Sequence, residues 1–124
     1  MSALDQKTPV DPAVVLADGT VVTARPAARR DLDQLHALAA RQGVMCDDLE
    51  LARLLRSDPA QRSVLCLTTH LDEGTGAETV IGVGVIELQS VTTQPTMILI
   101  DPAYGGPLAQ WLGDVLVQRA RAAV

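Results

Sequence analysis

The spacing of apolar residues changes character several times along the chain, and each change predicts an element. Val14-Val15-Leu16 and Thr20-Val21-Val22-Thr23-Ala24-Arg25 are apolar and β-branched runs with Asp18-Gly19 between them. An Asp-Gly pair supplies the positive φ that a tight hairpin turn needs, so these runs predict two paired strands. Pro26 ends the second. From Asp31 the pattern lengthens: Leu32, Leu35, Leu38 and Ala39 recur every three or four positions and Gly43 follows, which predicts an amphipathic helix and its stop. A second helix is expected from Asp47-Asp48, whose carboxylates suit the free amides of a first turn. It carries Leu51, Leu54 and Leu55 on one side and closes at Ser57-Asp58-Pro59.

Residues 63–70 and 79–88 are the two strongest strand patterns, rich in Val, Ile, Leu and Thr, and the polar segment 72–77 between them predicts a hairpin with a longish loop. Pro95 opens a short strand through Ile100. From Pro107 the residues Leu108, Trp111, Leu112, Val115 and Leu116 form a helical stripe. Residues 1–12 mix polar residues with two prolines, the composition of a mobile arm, so residues 13–124 are expected to form one domain.

Composition narrows the function classes. A chain of 124 residues buries a core without disulfides or a metal. Apolar residues make up 48% and aromatics only 2%, with no Phe, so the core is built from Leu, Val, Ile and Ala and base stacking is disfavoured. A net charge of −5 and a pI near 4.8 repel polyanions, and the arginines are scattered, which argues against nucleic acid. Arg29-Arg30, the one adjacent basic pair, falls at a helix start and reads as its solvated end. Cys46 and Cys66 have no histidine at ligand spacing, so no metal site is expected. Cys66, among leucines, is an inert thiol, and the acidic neighbours Asp47 and Asp48 raise rather than lower the pKa of Cys46. The N-terminal residues lack the apolar core of a signal peptide and no run is long enough to span a bilayer, which predicts a cytoplasmic protein without membrane contact.

The stretch most suggestive of chemistry is Met97-Ile98-Leu99-Ile100 followed by Asp101-Pro102-Ala103-Tyr104-Gly105-Gly106 and the last helix. A strand, a glycine turn and a helix N-terminus can gather unpaired N–H groups and the helix dipole at one spot, and so bind a phosphate without basic side chains. Pro107, in the first turn of that helix, has no N–H to give, although its fixed φ suits the position. Asp101-Pro102 is first of all a turn signal. His36 reads as a boundary residue beside the leucine stripe, and Trp111 as a core or interface anchor.

In order, these elements resemble the first two thirds of GNAT-type N-acetyltransferases. Thr23-Ala24-Arg25-Pro26-Ala27 with Arg30-Asp31-Leu32 is similar to that family's opening strand and first helix start. The hairpin around Leu16-Ala17-Asp18-Gly19-Thr20 resembles the extra one of bacterial protein acetyltransferases. Residues 81–86 resemble the third strand, and 98–104 the fourth strand with its proline and aromatic. The resemblance implies an α+β (α/β/α-like) fold with a mostly antiparallel sheet, two helices after the first strand and one after the fourth, lacking the usual C-terminal strands.

It also implies acetyl-CoA as acyl donor, contacted by Ile98, Leu99, Ile100, Tyr104, Gly105, Gly106, Leu108 and Ala109, and an unidentified amine as acceptor. The matching pyrophosphate loop, Gly105-Gly106-Pro107-Leu108-Ala109, is about one residue shorter than the family's pattern. It lacks the Arg or Gln at its start, and a weakened or lost CoA site follows from that. For a general base the candidates are Glu87 first and His70 second. The family's tyrosine that often protonates the leaving thiolate has no counterpart before Val124. With the fourth strand an open edge, a homodimer or a partner protein covering it is expected. Two readings follow: an acetyltransferase, complete by itself or through dimerisation, and a non-catalytic interaction module that uses the open edge.

Overall fold

The Asp18-Gly19 turn forms as expected. Gly19 takes φ +90°, Leu16 N donates to the Thr20 carbonyl at 2.8 Å, and Thr20 N donates to Asp18 Oδ1 at 2.9 Å. That last bond holds the Asp18 carboxyl below its ordinary pKa. The turn joins β1 (Ala13–Val15) to β2 (Val21–Pro26). The chain is described by a computed structural model for residues 12–43, 48–56, 58, 60–72, 77–88, 94–104 and 106–122. Residues 1–11 of the expected arm 1–12, together with Cys46, Ser57, Pro59 and Gly105, lie outside the described residues.

A short 3-10 turn, Arg29–Asp31, leads into α1 (Leu32–Arg41), after which Gly43 takes φ +70°. α2 (Asp48–Leu55) precedes β3 (Arg62–Asp72), β4 (Ala77–Glu87) and β5 (Met97–Ile100), and α3 (Gly106–Ala122) follows. The strands form one antiparallel sheet in chain order, β1-β2-β3-β4-β5, with β5 at an edge. This is the α+β architecture that the resemblance implied. The β3–β4 hairpin runs further than the apolar pattern reaches, to the pair Asp72↔Ala77. β5 starts at Met97 rather than at Pro95, which has no N–H for a ladder.

Alternation along the strands divides the interior into two cores. On one face α1 and α2 pack Leu35, Leu38 and Leu51 against Cys66, Val80 and Val83. On the other, α3 packs Leu108, Leu112, Val115, Leu116 and Ala120 against Val22, Ala24, Leu65, Leu67, Ile81 and Ile86. A bulge in β4 opposite Leu67/Thr68 makes Ile81 the extra residue and puts it on the α3 face. Gly84 lets α3 approach: a Cβ there would lie 2.7 Å from Leu116 Cδ1 and 2.9 Å from Leu112 Cδ2.

Candidate functional site

The chain leaves the sheet at the end of β5 through a well-defined turn. Asp101 N still donates to the Ile81 carbonyl at 2.8 Å, and Tyr104 N donates back to the Asp101 carbonyl at 2.9 Å. Asp101 Oδ1 accepts Ala103 N at 3.0 Å, so the Asp-Pro turn signal works through a side-chain bond. Asp101 Oδ2 pairs with Arg41 Nε at 3.0 Å, and Gln42 Nε2 donates to the Ile100 carbonyl. The C-terminal end of α1 is thus tied to this turn, a link between residues far apart in sequence.

α3 then begins at Gly106. Gly106 and Pro107 are exposed, a Cβ at Gly106 would meet nothing within 4 Å, and the first turn holds no acidic residue. The first N–H groups of an α-helix have no partner within it, so the Gly106, Leu108 and Ala109 amides are the donors of this end, and Pro107 supplies none. The Leu108 side chain is core, which leaves its amide as the group on offer.

The neighbouring strand sorts the remaining candidates. Ile98 and Ile100 share the α3 face with Tyr104 and Leu108, whereas Leu99 packs on the α1 face with Met97. Because Asp101 N bonds to β4, the ladder's alternation turns the main-chain groups of Ile98 and Ile100 to the open edge, and Gln42 meets Ile100 there. Half-buried Trp111 packs beside the α3 core, and His36 is exposed on α1.

Glu87 and His70 lie at opposite ends of the sheet. Glu87 is paired across strands with Arg62 at the start of β3, while His70 pairs with Glu78 eight residues on, about 26 Å away at ~3.3 Å per residue. The Glu87 carboxylate accepts from Arg62 Nε at 2.5 Å and Nη2 at 3.3 Å. The His70 side chain lies outside the described residues. Since β5 runs antiparallel to β4, its N-terminal end, Met97, faces Val85 and points toward Glu87. An extended molecule anchored at the start of α3 and lying along β5 therefore heads for Glu87 and away from His70.

Sequence reasoning missed a buried charge network on the α1 face. The Arg25 guanidinium holds Asp31 through Nη2–Oδ1 at 2.7 Å and Nη1–Oδ2 at 2.9 Å, and holds Glu78 Oε1 through Nη2 at 2.6 Å. Asp31 Oδ2 also accepts Ala28 N at 2.7 Å and faces Cys66 Sγ at 3.8 Å. Burial alone pushes the Asp31 carboxyl up, but the Arg25 and Ala28 bonds and the Arg25 and Arg30 charges outweigh it and leave it below the usual carboxylate value. Hydrogen bonding to Asp31 raises Arg25, and burial pushes the Cys66 thiol up to about 12. The signal was the Arg-Pro pair followed five residues later by Asp31, which joins the end of β2 to the start of α1.

This architecture is similar to that of the GNAT domain of S. lividans PAT, known from a crystal structure. The TM-score is 0.67 over 94% of this chain and 76% of that one, at 18% sequence identity. The fold is a GNAT fold. No protein-family model matches the sequence, and no curated protein matches it. Among the described residues no helix is long and apolar enough to cross a membrane, and no group of three or more His, Cys, Asp or Glu is placed to hold a metal.

Proposed function

We propose that this GNAT fold binds acyl-CoA and transfers the acetyl group to an amine. One observation carries the reading: the N-terminal turn of α3 is exposed, free of acidic side chains, and unobstructed above Gly106 at the end of an edge strand. The helix dipole and the amides of Gly106, Leu108 and Ala109 suit a pyrophosphate there, with Ile98 and Ile100 beside it along the edge and Tyr104 packed underneath. Acetyl-CoA bound in this way would supply an activated thioester. Glu87 would take the proton from the acceptor amine, once its oxygens are shared less fully with Arg62. The absent Pro107 N–H removes one donor, and a charge-assisted bond of about 1.5–3 kcal/mol is worth roughly ten- to a hundredfold in affinity.

Calorimetry with acetyl-CoA and with CoA tests both halves. Saturable heat supports the donor site, and its absence at millimolar ligand removes it. Binding without acetylation of any amine removes the enzyme reading alone. The edge position of β5 favours a second reading, a non-catalytic module whose edge pairs with another copy or a partner protein. Sedimentation tests the edge itself: a soluble monomer at all concentrations counts against pairing with another copy in either reading.

A further inference from the structure

The first turn of the α1 segment and the end of α2 enclose a cleft of about 380 Å³, lined by Arg29, Arg30, Leu32, Ala52, Leu55 and Arg56. It lies on the α1/α2 side of the sheet, apart from the α3 turn. In a chain with a net charge of −5, this cleft is lined by three arginines and no acidic residue. All three are exposed, and among the described residues no carboxylate pairs with them. Asp31 is buried and bonds to Arg25, Ala28 N and Cys66 Sγ, so although it feels the Arg30 charge it forms no ion pair with Arg29 or Arg30. Ala28, at the N-cap position, offers no side-chain acceptor to the amides that follow it. Arg56 Nε donates to the Ala52 carbonyl at 3.3 Å, which fixes the base of that side chain on α2.

We propose that this cleft binds a small phosphate monoester with an apolar body. Guanidinium groups match phosphate oxygens with planar forks, and three of them exceed the charge of one dianion. Half-buried Leu32, Ala52 and Leu55 form an apolar surface beside the charges, so an ester with an apolar group gains contacts that inorganic phosphate lacks. A volume of this size accommodates such a molecule rather than a bare ion. The site stands independently of the acyl-CoA reading.

The test is calorimetry of the whole chain at low ionic strength with phenyl phosphate and with inorganic phosphate. Phenyl phosphate is expected to bind about tenfold more tightly than inorganic phosphate, a difference set by its ring. The double variant R29Q/R56Q is expected to weaken phenyl phosphate binding about tenfold or more at an unchanged melting temperature, since both side chains are exposed. R119Q/R121Q, which removes the same charge from the far end of α3, is expected to bind as the parent does. The proposal is overturned by the absence of saturable heat, by equal affinity for the two probes, by full affinity in R29Q/R56Q, or by an equal loss in R119Q/R121Q. Full affinity in R29Q/R56Q places the phosphate elsewhere, including at the α3 turn.

Discussion

The two faces of the sheet solve the same packing problem with different chemistry. The α3 face is apolar and closes by removing side chains: Gly84 has no Cβ, so Leu112 and Leu116 settle onto the strand. The α1 face contains Arg25, Asp31 and Glu78 in a hydrogen-bonded set that ties β2, β4 and the start of α1 together. An apolar face tolerates any arrangement that fills space, whereas a buried ion set is stable only when each oxygen and N–H meets its partner. The difference teaches that register and helix placement are fixed from the α1 side, while the α3 side sets how closely the layers approach.

Breaking the ionic set is expected to have the largest effect. D31A leaves the buried Arg25 with Glu78 and the neutral Pro26 carbonyl, which costs about 3 kcal/mol or more by denaturant titration. R25M/D31L is expected to lose less than D31A alone, because it leaves neither Arg25 nor Asp31 as an unpaired charge. An equal loss would mean that the pair acts by packing and not by charge. The same set has a pH signature. The folded Asp31 pKa lies below its unfolded value of about 3.9, so its contribution is complete above that pH and is lost as pH falls through the folded value. In D31N the fall in urea midpoint below about pH 4 should be shallower than in the parent.

On the apolar face the expected change is overpacking. G84V places methyls where Leu112 and Leu116 already sit, both fully buried, and should cost about 1–3 kcal/mol in thermal or urea unfolding. A neutral result would show that α3 slides freely over the sheet. Thr69 breaks the contrast in a useful way. It pairs with Val22 on the α3 face, is 1% exposed, and its Oγ1 has no hydrogen-bond partner. T69V should therefore stabilise the fold by up to about 1 kcal/mol, and a loss instead would indicate a bound water at that hydroxyl. The smallest effect belongs to R41A, which removes the partly exposed pair with Asp101 and should shift stability by about 0–1 kcal/mol.

Much of the fold was legible because its signals are local. Asp18-Gly19 dictates a hairpin through φ, Leu35 and Leu38 mark the buried side of α1 by their spacing, and Leu108, Leu112 and Leu116 do the same for α3. The strand-turn-helix junction was legible for the same reason, as one continuous stretch from Met97 to Ala109. The arginine cleft was not: Arg29-Arg30 reads as the solvated end of a helix until Arg56, more than twenty residues on, is brought opposite it. Nor was the pairing of Glu87 with Arg62, which depends on the register of β3 and β4 rather than on either strand alone.

The amino-acid order by itself determined which segments are strands and helices and which side of each is apolar, because propensity, turn chemistry and periodicity act over a few neighbouring residues. Only the tertiary structure decided which charges meet. Arg25 reaches Glu78 across 53 positions and Gln42 reaches Ile100 across 58. Hydrogen bonds and ion pairs act over a few ångströms of space, and those distances exist only after the sheet has set its register and the helices have closed upon it.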